Sequence, residues 1–419
     1  MRHRFYFTIT FLLLVLRVQA SQILIPMDES QKNHLKSYGV AYLALQKQVE
    51  VDWLLNYRGG SFSFRHHQAI ENELVVRGIS YQVISDAQYN SILMQISDPE
   101  ANMDVMKLEK VPKIAVYSPK TKQPWDDAVT LVLTYAEIPY DVVFDEEVME
   151  GNLVKYDWLH LHHEDFTGQY GKFYNYRNMP WYRAQQQEAE TIAKKYGFNK
   201  VSQLKLSVAR KMKEFTAGGG FMFAMCSATD TYDVALAAEG IDIVDMIYDG
   251  DGMDPQAQQK LDFNKTLAFK DFRVSTNPLE MEFSTIDNQV LERNLMQKND
   301  FFSLFTFSAK WDPIPTMLTQ NHEKTIKGFM GQTTAFKKQY VKPEVIVMGE
   351  TKAVNEVRYM HGTLGKGTWT FYGGHDPEDY QHMVEEEPTD LSLHPNSPGY
   401  RLILNNILFP AAKKKKQKT

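Results

Sequence analysis

Short apolar segments alternate with helix-patterned ones between residues 113 and 240, and this alternation constrains the chain most. The runs 113–117, 140–144, 156–163 and 221–225 are brief and apolar, as buried strands are. Helix-patterned segments at 125–138, 181–196 and 202–215 separate them, and another at 230–239 stops at Gly240. Strands alternating with helices imply an α/β fold built on a doubly wound parallel sheet. Later runs at 344–348, 356–361 and 368–372 read as strands that close it. Residues 21–105 form a smaller N-terminal α/β module, with strands at 22–26, 50–57 and 81–85 and helices at 28–47 and 65–77. Arg58, Gly59, Gly60 and Ser61 read as a hairpin turn, with anion binding through backbone amides as the alternative. A polar stretch at 97–110 separates module and main domain. The expected division is 1–20, 21–105, 106–410 and a basic tail, 411–419.

Residues 1–20 read as a secretory signal. Arg2, His3 and Arg4 precede a mostly apolar run, 5–16, and Val18, Gln19 and Ala20 offer a cleavage site. The run is short and wrongly flanked for a membrane span, with an uncleaved anchor as the alternative, and no later segment reaches that length. The expected location is therefore outside the cytoplasm, in a periplasm or cell envelope, with no integral membrane span after cleavage. Composition is that of a globular chain, 43% hydrophobic and 23% charged. A formal net charge of −6 argues against a general nucleic-acid partner. The lysine run in the tail reads as a solvated terminus or a contact for anionic surfaces. A single cysteine forms no intrachain disulfide, so stability rests on the core.

That cysteine, Cys226, directly follows the 221–225 strand and precedes a helix. Ala224 and Ala228, small residues two positions away on either side, suit a tight strand-to-helix elbow. Such an elbow lifts a thiol above the carboxyl end of a sheet, where open α/β folds bind ligands. A nucleophilic thiol needs a base, and the base an orienting group. His375 ends a late strand in a Gly/Pro-rich loop, with Asp376, Glu378 and Asp379 as nearby carboxylates. Ser227, Gly374 and His163 would contact substrate. The alternative is a packed core cysteine and a locally bonded loop histidine.

A second cluster is His160, His162, His163 and Glu164. Strand alternation puts His160 and His162 on one face, while His163 and Glu164 leave the strand beside the elbow. His160, His162 and Glu164 are a candidate half-site for Zn²⁺ or Fe²⁺; satisfied core histidines or direct substrate contacts are the alternatives. The loop from Asp249 to Asp254 fails the calcium-loop pattern and reads as acidic surface. The aromatic run 301–307 with Trp311 reads as a core strand, with a sugar platform as the alternative.

Together these residues resemble the class I glutamine amidotransferase-like superfamily, on a flavodoxin-like fold. The segment Ala224-Met-Cys226-Ser-Ala228 is similar to its Gly-x-Cys-x-Gly elbow, and His375 with Glu378 to its late His-Pro-Glu, with one residue inserted. The ending at 365–377 is closer to the trehalose-utilisation (ThuA-like) branch, which is tied to carbohydrate metabolism. The chain also resembles exported Bacteroidetes-type proteins that carry the automatic label asparagine synthetase B. Its residues do not support that label: the expected mature chain starts at Ser21, not cysteine, and no Ser-Gly-Gly-x-Asp-Ser loop is present. The resemblance implies a hydrolase-like protein acting on a small amide, ester or carbohydrate derivative. Two mechanisms stay open: attack by Cys226 with His375 as base and Glu378 or Asp376 as orienter, or metal-assisted chemistry at the histidines. The superfamily's oxyanion-hole glycines are replaced here by His162, His163 and Glu164. That departure leaves open a non-catalytic binding or scaffolding protein of the envelope.

Overall fold

Alternating Phe62 and Phe64 explain the first sheet. The computed structural model describes residues 22–287 and 295–413, so the signal-like segment and nearly all of the lysine tail lie outside the described residues. Five strands, β1 (Gln22–Ile25), β2 (Val51–Leu55), β3 (Ser61–Arg65), β4 (Gln82–Ile84) and β5 (Asp104–Leu108), pair antiparallel in the order β4-β1-β3-β2-β5. Phe62 packs edge-on against Tyr38, with ring centroids 5.2 Å apart, and beside Trp53. The Arg58–Ser61 segment joins β2 to β3, where Gly59 and Gly60 take positive φ (75° and 89°), as a tight reversal requires. Helices α1 (His34–Gln46), α2 (Gln68–Val76) and α3 (Asp86–Ser97) complete the module. Asn33 caps α1, and Ser85 with Gln88 forms a capping box on α3. Strand β5 occupies the stretch expected to be a linker. Val51 pairs with Leu108, so the small sheet extends to Leu108.

The second sheet contains β6 (Ile114–Tyr117), β7 (Asp141–Val143), β8 (Trp158–Leu161), β9 (Phe221–Met225), β10 (Phe301–Leu304), β11 (Thr325–Lys327), β12 (Phe336–Lys337), β13 (Ile346–Thr351), β14 (Glu356–Leu364) and β15 (Gly367–Tyr372). Five of them, β7-β6-β8-β9-β15, are parallel neighbours; counted along the chain their order is 2-1-3-4-5. Strands β14, β13, β10 and β11 continue the sheet antiparallel, and β12 pairs with β14. The sheet is therefore mixed. Of the three late runs expected to close a parallel sheet, only β15 runs parallel. The tight turn at Gly365 returns the chain from β14 into β15, and such a short connection permits only antiparallel pairing.

Helices α4 (Ala128–Ala136), α5 (Asp145–Met149), α6 (Pro180–Lys195), α7 (Val201–Gly218) and α8 (Ser227–Ala237) follow the parallel strands. Side chains alternate across β9. Phe223 and Met225 join one apolar cluster with α1, α4 and the helix Pro398–Leu408; Met222 and Ala224 join another with α7 and α8. The first cluster also contains Trp53 and Phe62, so the N-terminal module and the large sheet share a core. Among the described residues, no helix is long and apolar enough to cross a membrane. The carboxyl ends of β6, β8, β9 and β15 meet at one edge, which fixes the next set of side chains.

Candidate functional site

Cys226 is the residue between β9 and α8, with φ 49° and ψ −141°. A non-glycine residue there is strained by about 1–3 kcal/mol, a cost that the surrounding structure must sustain. Its N–H donates to the Gly374 carbonyl (3.2 Å), and Ala228 N–H donates to the His162 carbonyl (2.9 Å). These bonds tie the elbow to β15 on one side and β8 on the other. Ser227 holds the first position of α8, where helix geometry leaves its N–H without an intrahelical acceptor. Its Oγ is buried and unpartnered. Gly374 has φ 101°, and a Cβ there would strike the Phe329 ring. At Gly331 a Cβ would lie 3.1 Å from the Cys226 sulfur, so a bare backbone covers the thiol. Cys226 is 2% exposed.

His375 leaves β15 and turns onto the elbow. Its Nε2 donates to the Asp126 carbonyl (3.1 Å) and lies 3.7 Å from Asp126 Oδ1. That fixes the tautomer and leaves Nδ1 as the basic nitrogen. Burial opposes charge on this ring, but Asp126 and the Cys226 sulfur outweigh it and hold the imidazolium up to about 10. Burial likewise opposes charge on Asp126, yet His375 and His382 hold its carboxyl below the usual range. The His382 ring stacks on His375 at 3.8 Å, and its Nδ1 lies 3.4 Å from Asp126 Oδ1.

The carboxylate beside His375 thus belongs to Asp126, not to Asp376 or Glu378. Asp376 Oδ1 accepts the Glu378 N–H (2.8 Å), and Glu378 pairs with His394 (3.2 Å). Asp379 pairs with His382 at 3.2 Å.

His160 and His162 converge on Asp127, which caps α4. One carboxylate oxygen accepts from Val129 and Thr130 N–H (2.8 and 2.9 Å), and the other lies 3.2 Å from His160 Nε2 and 3.3 Å from His162 Nδ1. The His162 contact lacks hydrogen-bond alignment, so both its ring nitrogens are buried and unpartnered, as is His163 Nδ1. Burial lowers His162 to about 4 and His163 well below the ordinary imidazole range, keeping both neutral. Burial opposes charge on Asp127 too, but His160 and His162 hold its carboxyl well below the usual range. Glu164 turns back so that one oxygen accepts the His162 N–H (2.9 Å); the other is buried and unpartnered, and burial raises the carboxyl to about 8.

Three groups of buried or partly buried side chains could hold a metal ion here: His162, His163 and His375; Asp126, His375 and His382; and Asp127, His160 and His162. In each, the ligand atoms lie within 4.8 Å of one another. Glu164 belongs to none, so the expected set of His160, His162 and Glu164 is not brought together. The unpartnered nitrogens of His162 and His163 suit a borderline metal. The acidic set Asp242, Asp249 and Asp251 instead surrounds the ammonium of Lys200.

Asp126, Asp127, His382 and Gly331 were not singled out from sequence. Asp127 had a local signal, an acidic residue ahead of an apolar helix. Only the fold brings Asp126 and His382 to His375 and Gly331 to the thiol.

No protein-family profile matches the chain, and no curated protein matches it. Among solved structures it is similar to two cytoplasmic proteins of Salmonella typhimurium. With STM3548 the identity is 9% and the TM-score 0.33; with STM1381 of strain LT2, 12% and 0.34. Each match covers 72% of this chain and 100% of the other. A catalytic mutant of Gan42B, a GH42 beta-galactosidase from G. stearothermophilus, matches at 12% identity and TM-score 0.27, over 63% of this chain and 27% of that one. At these scores the likenesses carry no assignment.

Proposed function

We propose that this protein is a thiol-dependent hydrolase that cleaves a small amide or ester by acyl transfer. The observation that carries the reading is the strained Cys226 elbow with His375 and Asp126 beside it. Cys226 Sγ attacks the carbonyl carbon while His375 Nδ1 holds the thiol proton. The imidazolium then gives that proton to the leaving nitrogen or oxygen. Water, deprotonated by the same ring, hydrolyses the thioester and frees the thiol. Asp126 orients the ring. The Ser227 N–H, at the start of α8, is the oxyanion donor available beside the nucleophile. The loop carrying Gly331 must yield for substrate to enter.

The 2-1-3-4-5 order of the parallel strands supports a flavodoxin-like doubly wound core, and Asp126, Asp127 and His162 lie at its switch point between β6 and β8. With the elbow, this supports placing the chain among class I glutamine amidotransferase-like proteins, near the ThuA-like branch. The signal-like N-terminus supports action outside the cytoplasm.

A second reading is favoured by the unpartnered nitrogens of His162 and His163. With His375 they would hold Zn²⁺ or Fe²⁺, which would supply Lewis-acid activation of water for a sugar derivative. Cys226 would then be a packing residue. The two readings separate in one experiment on the purified protein. Under the thiol reading, Cys226→Ala abolishes hydrolysis of a panel of nitrophenyl esters and anilides and leaves metal content unchanged. Stoichiometric metal, lost in His162→Ala, together with full activity in Cys226→Ala would replace the first reading with the second.

A further inference from the structure

A cleft lies away from the thiol, between the N-terminal module and the chain that joins β10 to β11. Its volume, about 690 Å³, falls in the range that holds small ligands. Side-chain amides lock its walls across the two parts. Gln320 Oε1 accepts the Asn56 N–H, and Gln320 Nε2 donates to Asn56 Oδ1, both at 2.8 Å. Asn102 donates to the Phe307 carbonyl (2.9 Å) and accepts from Ala309 N–H (2.8 Å). The cleft is thus pre-formed, and those amides are already used.

The remaining groups define the ligand. Phe305 and Phe307 line the cleft, and Phe305 is 42% exposed. His322 lines it as well. Arg401 Nη1 lies 3.2 Å from His322 Nδ1, and a guanidinium only donates, so Nδ1 is the acceptor and Nε2 carries the hydrogen. Among the described residues the neighbour of Nε2 is Glu323 Oε1 at 3.9 Å, beyond hydrogen-bond reach, so the wall offers an N–H donor to a ligand. Glu29 and Glu323 are exposed acceptors, while Asp28 is held by Arg58 at 2.6 Å. Lys324 adds one ammonium among these acids, so the lining does not favour an anion.

We propose that this cleft binds a neutral saccharide. Sugar hydroxyls both donate and accept, matching the Glu29 and Glu323 carboxylates and the His322 N–H, and their C–H faces pack on aromatic rings such as Phe305. An amine would leave the His322 donor without an acceptor, and an acid would meet the carboxylates. This site is independent of the chemistry at Cys226.

The test is saturation-transfer NMR on the full mature chain with maltose, cellobiose, chitobiose and galactobiose, with glucosamine and glucuronate as charged probes. At least one neutral sugar is expected to receive saturation at its C–H face. Phe305→Ala should weaken that sugar by about tenfold; Glu323→Gln should weaken it too, and Cys226→Ala should leave it unchanged. Both cleft positions are exposed, so neither variant endangers the fold. The proposal is overturned if no neutral sugar binds, if glucosamine alone binds, or if binding survives both cleft variants. Loss of binding in Cys226→Ala would place the sugar at the thiol and would overturn it equally.

Discussion

Asp127 joins the cap of α4 to the buried His160, and Asp127→Ala should be destabilising. One carboxylate oxygen caps α4 through two N–H groups, and losing such a cap costs about 1 kcal/mol. The other faces His160 Nε2 at 3.2 Å and His162 Nδ1 at 3.3 Å, on two fully buried rings. Leaving His160 Nε2 without its partner costs about 1–3 kcal/mol, while His162 has no aligned bond to lose. Relief of the carboxylate's own desolvation offsets part of this. The net expectation is a loss of about 2–3 kcal/mol for Asp127→Ala. Asp127→Asn keeps an oxygen for the cap and an amide for one histidine, so about 1–2 kcal/mol is expected. Urea unfolding, with an unchanged m-value, reads both numbers. A loss under about 1 kcal/mol in Asp127→Ala would refute the view that this carboxylate caps α4 and holds His160.

Three further outcomes follow from other residues. Asp126→Asn removes the charge beside His375 Nε2 and should slow thiol chemistry by at least about tenfold, read by single-turnover kinetics, and should also lower stability in urea because a buried imidazolium loses its counter-charge. Gly374→Ala forces a Cβ into the Phe329 ring at positive φ and should cost at least about 2 kcal/mol, measured by thermal unfolding. Buried His361 is held down to about 4, so its contribution is fully present above the ordinary value of 6.5 and is lost as pH falls towards 4. That interval is worth about 3 kcal/mol, and His361→Gln should flatten the acid side of the stability–pH curve by that amount.

Much of the central sheet was legible because its strands are buried on both faces and read as unbroken apolar runs. The strand Phe221–Met225 falls where its sequence pattern puts it. The β5 strand was hidden because Asp104 and Lys107 break its apolar pattern, and only pairing with β2 reveals it. The antiparallel direction of β13 and β14 is set by turns rather than by composition. At the site, Cys226 and His375 were visible as strand-end residues. Asp126 was not, because a carboxylate 249 positions from its histidine becomes a partner only when β6 and β15 enter one sheet. Asp376 and Glu378 were nearer in sequence, yet they have other partners.

The most direct test of the thiol account is the rate at which iodoacetamide modifies Cys226 in the native protein as pH is varied. With a single cysteine, the signal has one source. The account expects modification in the native state, faster than unfolding allows and slowed in His375→Ala. A thiol that reacts only as fast as the chain unfolds, with or without His375, would contradict it and leave Cys226 as a packed core residue.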